Sequence, residues 1–160
     1  MNKIKILAED TGKLLLEKRI TVGLAESCTG GLLAAQITEI PGSSAYFRGS
    51  VVAYHNKVKR KILKVPATIL RKFGAVSAET AQAMARGARK VTGAHIGLSI
   101  TGIAGPSGGT PEKPVGLVYI GLDARRLREV FKFDFIGERS EIRRQACERG
   151  LELLCDFLKR

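Results

Sequence analysis

Ile20-Thr21-Val22-Gly23-Leu24-Ala25-Glu26-Ser27-Cys28-Thr29-Gly30-Gly31 decides how this chain folds. The first six residues are a short apolar run rich in β-branched side chains, as expected of a buried strand. Residues 29–38 carry a helical pattern, with Leu32, Leu33 and Ile37 apolar. Ser27 therefore falls where a strand turns into a helix. A hydroxyl and several backbone N–H groups converge there on a positive helix end, which suits nucleophilic attack or the holding of an anion.

The pattern extends outward on both sides. Residues 3–18 read as a helix with Ile4, Leu7, Leu14 and Leu15 near one face. Pro41-Gly42-Ser43-Ser44 is a loop, and Val51-Val52-Ala53-Tyr54 ends a second strand. Residues 56–63 form a short helix, and Pro66 opens another at its first turn. Ser77 caps a helix reaching about Val91, with Ala81, Met84, Ala85, Ala88 and Val91 as its apolar stripe. His95–Ile100 is a strand that runs into the Gly/Pro-rich segment 101–116. Val115–Leu122 and Glu129–Phe135 form an antiparallel pair across a tight connection, and Ser140 caps a final helix. Helices both precede and follow the strands. The expectation is one α/β domain over residues 1–160, a three-layer α/β/α sandwich on a mixed five-stranded sheet.

Composition narrows the function. The chain has 160 residues, 44% of them hydrophobic and 26% charged. Those values suit a soluble globular domain able to bury a core without staples. No apolar run is long enough to span a bilayer, and the first residues lack the pattern of a signal peptide, so no membrane partner is expected. Cys28, Cys147 and Cys155 have no metal-ligand spacing, and their odd count suggests reduced thiols in a cytoplasmic setting. The net charge of +12 fits either nucleic acid or an anionic small substrate. The cations cluster at Lys57-Val58-Lys59-Arg60-Lys61 with Lys64, and at Arg125–Arg128. With 6% aromatics and no Trp there is little on which to stack bases, which argues against nucleic acid as the primary partner.

Three features carry chemistry. Ser27 alone reads as a helix cap, but Gly30 and Gly31 are costly at a helix start and suggest close backbone approach by a ligand. Cys28 is an alternative nucleophile if the helix end lowers its pKa, and a small buried apolar residue otherwise. A serine needs a base. His95 begins an apolar strand, His55 lies beside Tyr54, and Lys57, Lys59 and Lys61 follow a strand end. A Ser–Lys pair needs a neutral amine, which burial and neighbouring cations favour. The third feature, Ser99 to Thr110, is a strand ending in a Gly-rich loop, where ligands bind in α/β sheets. It lacks both the Walker lysine and the dinucleotide fingerprint.

These pieces, in this order, resemble the C-terminal domain of the competence/damage-inducible CinA family. The matching residues are Ala25 to Gly31, Pro41-Gly42-Ser43-Ser44, Val51 to Lys59 and Gly74-Ala75-Val76-Ser77. They continue through Thr101 to Pro106, Lys113-Pro114-Val115-Gly116, and Arg139 with Arg143. The resemblance covers about residues 5–158, nearly the whole chain. Two positions depart from it. Gly49-Ser50 stands where the family usually has Gly-Gly, and His55 stands where Ser is frequent. The additional N-terminal domain of larger members is not expected here.

The resemblance implies an amidohydrolase that converts nicotinamide mononucleotide to nicotinic acid mononucleotide and ammonia, with no cofactor and no metal. It assigns the nucleophile to Ser27 and the base to Lys59, with Tyr54 orienting the pair. Thr29, Gly30 and Gly31 are expected to bind the substrate, with amides around Gly30 and Gly31 stabilising the oxyanion. Thr101, Gly102 and Arg143 are the candidates for holding the substrate phosphate. The family and the small size point to a homo-oligomer. The alternatives are a pyridine-nucleotide-binding module without turnover, and a competence- or damage-associated protein that binds nucleic acid.

Overall fold

The computed structural model describes residues 2–160. Its elements run α1 (Lys3–Lys18), β1 (Val22–Glu26), α2 (Leu32–Thr38), a 3-10 turn (Ser43–Ala45), β2 (Phe47–Val52), α3 (Asn56–Lys61) and α4 (Ala67–Phe73). They continue with α5 (Ala78–Thr92), β3 (Ile96–Gly102), β4 (Leu117–Ala124), β5 (Leu127–Asp134) and α6 (Arg139–Leu158). The single sheet has the order β2-β1-β3-β4-β5. β1 is parallel to both β2 and β3, whereas β3–β4 and β4–β5 are antiparallel. The expected mixed five-stranded α/β sandwich is the observed fold. No helix among the described residues is long and apolar enough to cross a membrane.

Each face of the sheet has its own core. α1, α2 and α6 cover one face, where Leu15, Leu33, Ala146 and Leu151 pack on Leu24, Leu98 and Ile120. α5 covers the other, with Met84 and Ala88 grouped with Ala25, Ala53, Leu63 and Val65. β1 and β3 are buried on both faces, which explains their continuous apolar runs. α5 lies very close to the sheet. A Cβ added at Gly97 would stand only 1.9 Å from the Ala85 carbonyl oxygen, so only glycine fits there.

The bounds of most elements differ from the expectations by one to three residues, and four readings change in substance. α2 begins at Leu32 rather than at 29, because Gly30 and Gly31 adopt positive φ and form a turn. This backbone requirement explains the two glycines without a ligand. Pro66 is the residue before α4 rather than its first member. α6 starts at Arg139, with Glu138 as its flanking residue, so Ser140 lies inside the helix and caps nothing. Val91 is 51% exposed and does not belong to the buried stripe of α5.

The turn after β1 is organised by Glu26, whose side chain is fully buried. Its carboxylate accepts from the amides of Gly31 (3.0 Å), Leu33 (3.1 Å) and Ala34 (2.8 Å), and from the Thr29 hydroxyl (2.7 Å). The Ser50 hydroxyl adds a longer contact at 3.3 Å from the neighbouring strand. A negative group thus satisfies the orphan amides at the positive end of α2. Glu26→Gln directs an amide NH2 at those same N–H donors. It is expected to cost about 3 kcal/mol of stability in urea unfolding, the scale of charged hydrogen bonds lost in a buried site.

Candidate active site

β1, β2 and β3 are mutually parallel, so their C-terminal ends open on the same edge of the sheet. Ser27 follows β1, the Tyr54–Lys59 segment follows β2, and Gly102 ends β3. This edge is where open α/β sheets bind ligands. The cavity formed there has about 330 Å³, within the range of small-ligand sites. Ser27, Cys28, Tyr54, Lys59, Ala75, Val76, Thr101, Gly102 and Arg139 line it, together with the loop after Gly102.

Lys59 is the unusual residue of the site. α3 turns it inward one helical turn before the buried Leu63, leaving its side chain 1% exposed. Lys57 and Lys61, on the same short helix, remain in solvent. The Lys59 Nζ lies 2.7 Å from the Ala53 carbonyl oxygen, 3.3 Å from that of Tyr54 and 2.9 Å from the Ser27 Oγ. Burial lowers its pKa from 10.5 to about 8. The neighbouring cations expected to help do not contribute, because Lys57, Arg60 and Lys61 point outward.

Those three partners define what the amine can do. A neutral amine has two hydrogens and one lone pair in tetrahedral array. The two carbonyls accept only, so they take the two hydrogens. The lone pair is left toward Ser27, whose hydroxyl then donates to it. The Ser27 amide donates to the Ile100 carbonyl (2.9 Å), which fixes the serine backbone across the β1–β3 pair. The arrangement is a serine hydroxyl held against a buried amine.

The remaining candidates divide. Thr101 and Gly102 border the cavity, with the Thr101 hydroxyl donating to the Ala75 carbonyl (2.7 Å). Tyr54 is present, but not in the expected way. Its carbonyl contacts Lys59, while its exposed hydroxyl accepts from Arg139 (3.1 Å). Thr29, Gly30, Gly31 and Arg143 are not among the residues that line the cavity. The Gly30 amide donates to the Ser27 carbonyl and that of Gly31 to Glu26, so neither is free for an oxyanion. Among residues 27–34, the amides of Cys28 and Thr29 have no acceptor on another described residue. Arg143 donates to the carbonyls of Cys28 (3.0 Å) and Thr29 (2.9 Å), bracing the loop from behind.

Other candidates fall away. Burial pushes the Cys28 thiol up to about 11, opposite to the depressed value of a reactive cysteine, and the residue belongs to the core. His55 caps α3 by accepting from the Lys57 amide (3.1 Å). His95 accepts from the Thr21 amide (3.0 Å) at the opposite end of β3. Arg139 is the cation that sequence reasoning did not single out as a site residue. It stands exposed at the start of α6 and donates to the Gly105 carbonyl (2.8 Å) as well as to Tyr54. Its pairing with Arg143 in the recognised motif was the available signal.

Comparison with known proteins agrees with this architecture. The sequence model described as the CinA C-terminal domain matches residues 4–158. A CinA-like protein of Endomicrobium trichonymphae is 53% identical over 148 residues, covering 92% of this chain and 35% of that protein. A putative competence-damage inducible protein of Desulforudis audaxviator is 52% identical over 149 residues, covering 93% of this chain and 36% of its own length. The chain thus spans about a third of the length of these relatives. Among solved structures, the competence/damage inducible protein CihA of Agrobacterium tumefaciens superposes with a TM-score of 0.96 at 40% identity. The match covers 100% of this chain and 98% of that one. A CinA superfamily protein of Klebsiella pneumoniae gives 0.95 at 31% identity, covering 99% of both chains. With a family match over nearly its whole length, relatives above half identity and the same fold in solved members, the chain belongs to the CinA C-terminal domain family.

Proposed function

We propose that this domain is a Ser–Lys amidohydrolase that deamidates nicotinamide mononucleotide. The observation that carries the reading is the Lys59 amine, buried, with two carbonyls on its hydrogens and the Ser27 hydroxyl at its remaining position. Lys59 takes the Ser27 proton as the hydroxyl oxygen attacks the carboxamide carbon. The tetrahedral oxyanion is met by the Cys28 amide, which follows the nucleophile and borders the cavity. Lys59 then returns the proton to the departing nitrogen, and ammonia leaves an acyl ester on Ser27. Water, deprotonated by the same amine, releases the acid and restores the serine.

Arg139 supports an anionic substrate. It lines the same cavity as Ser27, and its guanidinium has donors beyond the two it uses on Gly105 and Tyr54. In this reading it replaces Arg143 as the group that holds the substrate phosphate. Thr101 and Gly102 shape the wall of the cavity beside it.

Ammonia release from the mononucleotide tests the reading. Ser27→Ala is expected to lower kcat by at least about 10³-fold with the fold intact; binding of the mononucleotide by the wild type without ammonia release would instead indicate a binding module. In the active enzyme, kcat/KM should rise tenfold per pH unit below about 8 and level above it, because Lys59 must be neutral. Lys59→Met should abolish activity at every pH.

Arg139→Met is expected to raise KM for the mononucleotide by about tenfold, the value of one charged hydrogen bond, and to leave KM for the phosphate-free riboside nearly unchanged. Measuring both substrates separates a phosphate contact from general damage.

Burial of Lys59 also has a readout that needs no substrate. Its folded pKa is depressed, so the unfolded chain binds the extra proton between about pH 8 and 10.5 and stability rises with pH across that window. Wild type should therefore gain about 3 kcal/mol on Lys59→Met between pH 7 and pH 10.5 in urea unfolding.

A further inference from the structure

We propose that this chain assembles head to tail, with the apolar knob at Ile136 of one copy seated in the groove between α4 and α5 of the next. The groove has about 800 Å³ and shares no lining residue with the Ser27 cavity. Leu63, Ala83 and Gly87 lie deep in it, while Ile62 and Val91 stand on its flanks at 40% and 51% exposure. Such a hollow, lined mainly by apolar side chains, has room for an apolar side chain of a partner.

The rim decides what fits. Lys64, Arg86, Lys90 and Arg128 surround the groove, opposed by Glu79 alone. Lys64, Arg86 and Lys90 make no ion pair among the described residues. Two such grooves brought face to face would crowd like charges, so a two-fold contact of groove on groove is disfavoured. The matching surface is an apolar centre with acidic shoulders.

The chain carries that surface elsewhere. Ile136, between β5 and α6, is 89% exposed, more than any other large apolar residue described. Asp134, Glu138 and Glu141 flank it, all exposed and all without an ion pair among the described residues, and outnumber the nearby cations Lys132 and Arg139, the latter turned to the Gly105 carbonyl and the Tyr54 hydroxyl. The knob is held in shape. The Phe135 amide donates to the Gly116 carbonyl (2.8 Å), and the Gln145 side chain donates to the Ile136 carbonyl (2.9 Å). A braced apex loses little freedom on docking. Knob and groove are different patches, so the contact is heterologous and repeats from copy to copy, in a closed ring or an open chain.

Sedimentation equilibrium of the full chain tests this, with Ile136→Asp and Val91→Asp as the variants. Circular dichroism checks that each remains folded; should either fail, Ile136→Ser or Val91→Ser takes its place. The wild type is expected to self-associate, and each variant alone to associate about 30-fold more weakly, as on loss of an interface hot spot. An equimolar mixture of the two variants is expected to form pairs, one supplying an intact groove and the other an intact knob. A monomeric wild type, a variant that associates as the wild type does, or a mixture no more associated than its components overturns the proposal.

Discussion

The Glu26 carboxylate is the contact on which the site depends. It ends β1, and its two oxygens satisfy the amides that open α2, together with the Thr29 hydroxyl. The helix end that looked like an anion-binding site for a ligand is already filled by the chain's own anion. The turn between Glu26 and Leu32 is thereby tied to one buried carboxylate. Ser27 is pinned on one side by Ile100, and the carbonyls of Cys28 and Thr29 are pinned on the other by Arg143. Ser27, the proposed nucleophile, is therefore held through the backbone of its own turn by the buried Ile100 and the half-buried Arg143, a preorganisation that suits covalent catalysis.

Lys59 is the complementary constraint. An amine enclosed by protein costs stability at neutral pH, since the proton it would carry in water is disfavoured inside. The Ala53 and Tyr54 carbonyls limit that cost by occupying its hydrogens. They also set its direction, because a tetrahedral nitrogen with two sites taken has one left for Ser27. The destabilising burial and the proposed chemistry are thus one feature.

Much of the fold was legible in the chain. Strand and helix periods, the cap at Ser77 and the short β4–β5 connection all lie within local sequence, and the elements they predict exist. Boundaries failed where local signals compete. Ser140 has the right chemistry for a cap, but the helix already starts at Arg139. Gly30 and Gly31 resembled a ligand approach, when their positive φ values reflect the turn that lets Glu26 reach back to α2. Val91 keeps the helical period of the α5 stripe, yet at this end of the helix Thr92 packs on Gly23 of β1, and Val91 faces the groove instead.

The site was legible only in part, for a physical reason. Sequence by itself identified a strand-to-helix serine, a lysine-rich helix after a second strand and a glycine-rich loop after a third. Local pattern and family resemblance suffice for that. Which arginine faces the cavity, which amides remain free and which part of Tyr54 touches the lysine depend on groups far apart in the chain. Arg143 and Arg139 lie one helical turn apart, yet one braces the nucleophile loop from behind and the other enters the cavity. Tertiary structure decides this, because a side chain's hydrogen-bond capacity is finite, and only the folded packing shows which partners have already consumed it.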